Sequence, residues 1–87
     1  MTDNLEADLR DETLKWLKRA EDLRYRVRSK EDERFLENVS AYISDSHYFL
    51  DRGDLIRAFE AVIWAWAWME IGQETGKLVC DDCPERR

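Results

Sequence analysis

Cysteine, proline, glycine and histidine are all scarce in this 87-residue chain, which has two cysteines, one proline, three glycines and one histidine. Two cysteines do not make the disulfide framework of a small secreted domain. So little proline and glycine, beside many Glu, Lys, Arg, Leu and Ala, favours helix over sheet. A chain of this length buries about 60–65% of its unfolded surface, which allows one domain with one modest core.

Basic residues are outnumbered, with 14 Lys and Arg against 20 Asp and Glu and a net charge of -6. This acidity argues against a general nucleic-acid binder and against attachment to an anionic membrane surface. The apolar run AVIWAWAWM has nine residues, whereas a span of the bilayer takes about 20. The amino-terminal segment MTDNLEADLR is acidic and has no apolar core, so we expect no secretion signal and a cytoplasmic location.

Apolar side chains recur every three or four residues along three segments, which is the spacing of helices that bury one face. The first face carries Leu5, Leu9, Trp16, Ala20, Leu23 and Val27. The second carries Phe35, Val39, Tyr42, Ile43, Ser46, Phe49 and Leu50. Short connections predict an all-α fold, an up-and-down three-helix bundle with helices at about 4–28, 32–52 and 55–75. Residues 1–76 are assigned to this bundle, and residues 77–87 to a carboxyl-terminal tail with a CxxC motif.

Residues with special backbone roles mark the predicted helix ends. Ser29 and Asp32 predict a capping box at the start of the second helix. Gly53 is suited to end that helix, and Gly76 to end the third. Asp54 is expected to cap the start of the third helix.

The apolar run at 61–69 offers two faces when it is wound at 100° per residue. One side gathers Leu55, Ala58, Phe59, Val62, Trp66 and Met69, and the predicted core anchors are Trp16, Phe35, Phe49, Phe59, Val62 and Trp66. The other side gathers Ala61, Trp64, Trp68 and Ile71. Because a bundle needs one stripe from each helix, this second face is covered either by the first two helices or by another subunit. We hypothesise a homodimer packed through the third helix, with these four residues as its interaction patch.

A residue pattern extends from position 42 to position 72, across the second and third helices. It comprises Tyr42, Asp45, Tyr48, Phe49, Leu50, Gly53, Asp54, Ala58, Phe59, Ala61, Ala65, Trp68, Glu70 and Gly72. This pattern resembles the archaeal family called domain of unknown function 357. The resemblance implies a small up-and-down three-helix bundle, similar to immunoglobulin- and albumin-binding bundles, with no catalytic residues. The ending VCDDCPERR is not part of the family pattern, so the resemblance implies nothing about its cysteines.

Cys80 and Cys83 form a recognisable chemical motif. Two thiolates at this spacing make half of a tetrahedral zinc site, with the other ligands from a second subunit or from His47 and a carboxylate. A disulfide or redox role is a second alternative, although no helix begins here to activate a thiol. A passive tail is the third alternative. His47 itself is expected to be structural or exposed, because catalytic use requires a partner within hydrogen-bond reach.

Three polar side chains, Tyr42, Asp45 and Glu70, are candidate polar anchors. The helical angle of Glu70 places it near the core, where a buried carboxylate needs a partner. A hydrogen bond that fixes helix register is one interpretation. A small-ligand pocket between the helices, with tryptophan walls, is the alternative.

Basic residues cluster around the first connection, at Arg24, Arg26, Arg28, Lys30 and Arg34. Three acidic residues at 31–33 interrupt them, so the local net charge is only mildly positive. A solvated helix end is the favoured interpretation, and a phosphate or RNA contact is the alternative.

The sequence contains no recognisable catalytic constellation, so we expect neither enzymatic activity nor a cofactor. It predicts a non-catalytic protein-interaction or assembly module that self-associates through the third helix, with a second copy or another protein as partner. One alternative is a small-ligand-binding protein with a pocket near Tyr42, Asp45 and Glu70. The other is a metal- or redox-linked accessory protein that uses Cys80 and Cys83.

Overall fold

The computed structural model describes residues 2–30 and 33–83, where the chain forms three α-helices and a two-stranded antiparallel sheet. The helices are α1 (Thr2–Arg26), α2 (Arg34–Asp51) and α3 (Leu55–Glu74), and the strands are β1 (Val27–Ser29) and β2 (Leu78–Cys80). The predicted all-α three-helix bundle is confirmed. In this described part of the chain, no helix combines the length and the apolar character needed to cross a membrane.

Helix α3 is the central element of the bundle. It contacts both α1 and α2 extensively, whereas α1 and α2 contact each other much less. The Cα atoms extend over 45 × 26 × 17 Å, so the bundle is flattened. Helix α3 therefore buries the sides that meet its neighbours, and its remaining side faces outward.

The connection between α2 and α3 has the predicted end signals. Gly53 has a φ of 79°, in the left-handed region that glycine adopts without a steric cost. Its N–H donates to the Leu50 carbonyl at 3.0 Å, and the Asp54 N–H donates to the Phe49 carbonyl at 2.9 Å. This pair of bonds is a Schellman motif. The Asp54 carboxylate then accepts from the Arg57 N–H at 3.2 Å, which confirms Asp54 as the cap of α3.

The start of α2 differs from the prediction. The helix begins at Arg34 rather than at about residue 32, and Ser29 lies in β1 instead of forming a cap. Asp32, the other half of the predicted capping box, lies outside the described residues. Glu33 occupies the N-cap position and makes no side-chain capping bond within the described chain. The first-turn N–H groups of α2 therefore receive no capping bond from this side chain.

A short sheet closes one end of the bundle, and the sequence did not predict it. Helix α1 ends at Arg26 rather than at about residue 28, and the next three residues pair with the predicted tail. Val27 lies opposite Cys80, and Ser29 lies opposite Leu78. Leu78 is buried beside Phe35, so the tail contributes an apolar side chain to the core.

Small side chains occupy the centre of the core, where Ala20, Ala58 and Ala65 are fully buried. The largest fully buried side chains are Met69, Val39, Val62, Thr13 and Ser46. Among the predicted anchors, Val62 is confirmed. The five aromatic anchors are half-buried: Trp16, Phe35, Phe49, Phe59 and Trp66. Three of them, Trp16, Phe35 and Trp66, pack against the core cluster, in agreement with the prediction. Small and aliphatic side chains thus fill the centre of the core, and the aromatic rings cover its rim.

Candidate association surface

The outward side of α3 carries large apolar side chains. Ile56, Trp64 and Ile71 are 66%, 56% and 52% exposed, and the half-buried Ile63 and Ala67 lie on the same side of the helix. We call these five residues the outer α3 face. Apolar side chains grouped in this way on a folded domain are typical of an interaction site.

A shallow groove of about 490 Å³ follows the outer α3 face. Its lining is formed by Phe59, Glu60, Ile63, Trp64 and Ala67. Ala67 contributes only a methyl group, so a side chain from another molecule is able to approach the helix closely there. Glu60 supplies a carboxylate within this otherwise apolar surface, which gives the groove a hydrogen-bond acceptor.

Trp64 is held in place by Tyr42 of α2. The two rings are stacked with 6.2 Å between their centroids and 18° between their planes. This contact fixes one face of the indole against the domain, while more than half of the side chain stays exposed. Trp64 is therefore a positioned aromatic side chain, which loses less conformational entropy on association than a mobile one.

The structure divides the four residues of the predicted interaction patch. Trp64 and Ile71 are exposed, whereas Ala61 is buried. Trp68 is half-buried and meets Phe35 edge-on, with 5.2 Å between ring centroids and 84° between planes. Its buried indole Nε1 has no hydrogen-bond partner within the described chain. The exposed apolar surface is thus rotated away from Ala61 and Trp68, toward the side that carries Ile56, Ile63 and Ala67.

None of the three predicted polar anchors lines the groove on α3 or the pocket near the sheet. Tyr42 is half-buried and stacks on Trp64, Asp45 is exposed, and Glu70 is half-buried with an interaction partner of its own. The groove on α3 is lined by other residues, as is a second pocket near the sheet. A ligand site at Tyr42, Asp45 and Glu70 stays a prediction.

The two cysteines of the tail are joined by a disulfide within the CxxC motif, with 5.6 Å between the Cα atoms of Cys80 and Cys83. The enclosed Asp81 forms two hydrogen bonds with Arg28 of β1, at 2.8 and 2.9 Å. These bonds hold the pKa of the Asp81 carboxyl below its usual range. The Arg26 guanidinium also donates to the Asp82 carbonyl at 3.0 Å. The tail is thus attached to the end of α1 and to β1 by polar contacts as well as by strand pairing.

His47 lies on the surface and bridges two helices. Its Nε2 is 2.6 Å from a Glu21 carboxylate oxygen of α1, and both side chains are about half exposed. Within the described residues, His, Cys, Asp and Glu side chains do not gather in a group of three or more that would hold a metal ion. A zinc site shared with a second subunit stays an alternative for the reduced chain only, because Cys80 and Cys83 are joined in the disulfide. His47 is exposed, as expected, and Glu21 lies within hydrogen-bond reach of it.

Sequence reasoning missed two members of the outer α3 face, Ile56 and Ile63, although the small side chain of Ala67 is typical of a position that another helix approaches closely. A signal for them is present, because positions 56, 60, 63, 67 and 71 are separated by three or four residues and follow one side of a helix. Two charged residues, Arg57 and Glu60, interrupt the apolar pattern on this side. The three alternating tryptophans further obscure its helical spacing. The position of this stripe becomes clear only when the placement of α1 and α2 is known.

Comparison with known proteins agrees with this fold. The sequence profile described as "Protein of unknown function (DUF357)" matches residues 7–78. The crystal structure of a DUF357 protein from Archaeoglobus fulgidus is similar, with 58% sequence identity and a TM-score of 0.83. That similarity covers 88% of this chain and 99% of the other. No curated protein matches the chain. The profile match ends before Cys80, in agreement with a tail outside the family pattern. The chain belongs to the DUF357 family.

Proposed function

We propose that the protein is a non-catalytic assembly module that forms a homodimer through the outer α3 face. The observation that carries this proposal is Trp64, an aromatic side chain that is fixed by Tyr42 and yet 56% exposed on an apolar helix face. Tryptophans in such positions are typical of binding hot spots. A second copy offers the same apolar stripe in return, so the surface is complementary to itself in the way that a two-fold dimer requires.

The chain exposes more surface than a compact monomer of its mass. A folded monomer of 10.5 kDa is expected to expose about 5400 Å², whereas this chain exposes 6214 Å². The exposed first turns of α1, at residues 4–8, contribute part of this excess, and the outer α3 face contributes another part.

The groove provides a specific arrangement for the two copies. Trp64 of each copy inserts beside Ala67 of the other, where the small side chain leaves room for the indole ring. Glu60 accepts a hydrogen bond from the indole N–H of the partner, which satisfies the polar edge of an otherwise apolar ring. Packing of two central helices against each other buries Ile63 and Ile71 in the same step.

The remaining chemistry of the chain supports a role without catalysis. The carboxyl groups of Asp54 and Asp81 have lowered pKa values because each accepts hydrogen bonds from an arginine on the surface. Catalytic groups with shifted pKa values lie in clefts beside a reacting partner, whereas these groups stabilise a helix start and a strand pair.

Two substitutions on the outer α3 face test the proposal. Trp64→Ala removes the anchor, and we expect the dimer dissociation constant to rise by about 30-fold or more. Ala67→Glu places a charge in the groove and should abolish the dimer. Tyr25→Ala is the matched control, because this aromatic residue is 90% exposed on α1, away from α3. Sedimentation velocity measures the constants, and circular dichroism confirms that each variant is folded. Equal dissociation constants for Trp64→Ala and Tyr25→Ala would refute the assigned surface.

A further inference from the structure

A second pocket lies where the sheet meets the start of α2. It has a volume of about 540 Å³, within the range of small-molecule sites, and opens to the solvent. Three basic side chains, Lys30, Arg34 and Lys77, line it. Phe35 and Trp68 also line it, as an edge-on aromatic pair. The protein as a whole has a net charge of -6, so a pocket with three basic side chains departs from the character of its surface.

The sheet holds two of these lysines opposite each other. Ser29 pairs with Leu78, and the Lys30 N–H donates to the Lys77 carbonyl at 3.2 Å, which extends the antiparallel pairing by one step. Directly opposed residues in such a pair direct their side chains to the same side, with their Cβ atoms about 5 Å apart. Like charges in this arrangement repel each other and destabilise the sheet. An anion between the two ammonium groups relieves that repulsion.

The start of α2 adds a positive electrostatic potential to that of the two lysines. Arg34 and Phe35 are the first residues of the helix, and both line the pocket. The positive end of the helix dipole and the first-turn N–H groups favour an anion at this position. Of the three acidic residues that interrupt this basic cluster, Glu33 does not line the pocket, and Glu31 and Asp32 lie outside the described residues. Arg34 already has an interaction partner, so the two lysines and the helix start are the main elements of the site.

The remaining residues that line the pocket indicate which kind of molecule carries the anionic group. Phe35 and Trp68 offer apolar ring surface, and Asn38 and Thr75 offer side-chain hydrogen-bonding groups. The volume exceeds that of an inorganic anion. A phosphate monoester carries a charge close to -2 at neutral pH, which matches two opposed lysines.

We propose that this pocket binds a small organic phosphate, with the phosphate between Lys30 and Lys77 and the organic part against Phe35 and Trp68. The site is independent of the outer α3 face, so its occupancy does not depend on the proposed dimer. It also differs from the ligand site predicted at Tyr42, Asp45 and Glu70.

Titration of the ¹⁵N-labelled protein with adenosine monophosphate, followed by NMR, tests this proposal. We expect saturable shifts of the backbone amides at 30, 34, 35 and 75–77, with a dissociation constant of about 1 mM or lower. Inorganic phosphate should shift the same amides with weaker affinity, because it lacks the organic part. Adenosine, which lacks the phosphate, should bind at least tenfold more weakly than adenosine monophosphate, because the charge-assisted contacts to the lysines are lost. The absence of shifts at about 10 mM adenosine monophosphate would overturn the proposal.

Two variants separate a specific site from general attraction of anions. Lys30→Gln with Lys77→Gln should weaken binding of adenosine monophosphate by about tenfold or more, because charge-assisted hydrogen bonds are lost. The melting temperature of this double variant should stay equal or rise, since a repulsion is removed. Lys18→Gln, on the exposed surface of α1, is the matched control and should bind like the wild type. Equal weakening by both variants would overturn the site. If a single-stranded RNA binds much more tightly than adenosine monophosphate, RNA is the ligand of this pocket, and the proposal of a small organic phosphate is also overturned.

Discussion

Trp64 of α3 stacks on Tyr42 of α2, with 6.2 Å between ring centroids, while 56% of the tryptophan remains exposed. The tyrosine therefore acts as a platform that orients an exposed indole. In an uncomplexed domain such a contact covers only one face of the ring. The other face becomes available to the partner, so orientation of Trp64 by Tyr42 links the packing of two helices to the proposed dimer.

Loss of this platform should weaken association more than folding. For Tyr42→Ala we expect the dimer dissociation constant to rise severalfold, because Trp64 then loses conformational freedom on binding. Tyr48→Ala is the control, since Tyr48 is exposed on the same helix and meets Phe49 edge-on instead. Sedimentation velocity of both variants measures the difference. An unchanged dissociation constant for Tyr42→Ala would show that the platform has no role in association.

Gly72 allows β2 to approach α3 closely. A Cβ atom at this position would lie 2.7 Å from Leu78 side-chain carbons and 2.9 Å from Phe35 Cε1. Gly72→Ala should therefore lower the free energy of unfolding by up to about 2 kcal/mol, because the overlap outweighs the helix propensity gained from alanine. Denaturant unfolding measures this change.

The same contact predicts a coupling between two substitutions. Leu78→Ala opens a cavity in the wild type, and we expect it to cost less in the Gly72→Ala background, where the new methyl group occupies part of that space. A double-mutant cycle gives the coupling energy. Strictly additive effects would contradict the close approach of Gly72 and Leu78.

Ser46 contributes a buried hydrogen bond between α2 and α3. Its Oγ donates to the Ala58 carbonyl at 2.7 Å, and the side chain is fully buried. Ser46→Ala should lower the free energy of unfolding by about 1 kcal/mol, the usual net contribution of such a bond. Ser44→Ala, at an exposed position of the same helix, should change it by less than about 0.5 kcal/mol. Equal stability of the two variants would rule out this bond as a stabilising contact.

The contact between Arg28 and Asp81 should make the tail sensitive to acid. Hydrogen bonds from Arg28 lower the pKa of Asp81 in the folded state, so their contribution to stability is complete above the ordinary pKa of about 3.9. This contribution is lost as the pH falls through the lowered pKa that Asp81 has in the folded state. When the pH is lowered from about 5 to about 3, the melting temperature of the wild type should therefore fall more than that of Asp81→Asn.

Asp82→Asn provides the control for this acid effect. The Asp82 side chain is exposed, and Arg26 contacts only its carbonyl oxygen. This variant should therefore keep the acid dependence of the wild type. Identical pH profiles of the wild type and Asp81→Asn would contradict a stabilising role for the contact.

Local chemistry explains which parts of the fold were predictable. Gly53 and Asp54 define a helix end and a helix start through their own backbone and side-chain properties, so both were recognised from sequence. The strands were not, because three-residue segments are too short to show an alternating pattern. Val27 and Leu78 become strand residues only through pairing between segments that are distant along the chain.

The helical angle of a residue does not by itself give its burial. Trp66 and Trp16 lie on the predicted core sides of their helices, yet they meet edge-on at the rim, with 5.4 Å between ring centroids. Ala20 and Ala65 are fully buried, so small side chains rather than these rings occupy the centre of the core. Ala61 shows the opposite case. Its helical angle predicted a place in the exposed interaction patch, but neighbouring residues bury it. The distance between the helices depends on the packing of all three, so it cannot be predicted from the sequence of one helix alone.

The molar mass of the wild-type protein in solution tests self-association most directly. Light scattering should give about 21 kDa, twice the chain mass of 10.5 kDa, at roughly 100 µM, with a decline toward the chain mass on dilution. A standard-size interface with a tryptophan anchor lies within this affinity range. A mass of 10.5 kDa at every concentration would contradict the homodimer through the outer α3 face.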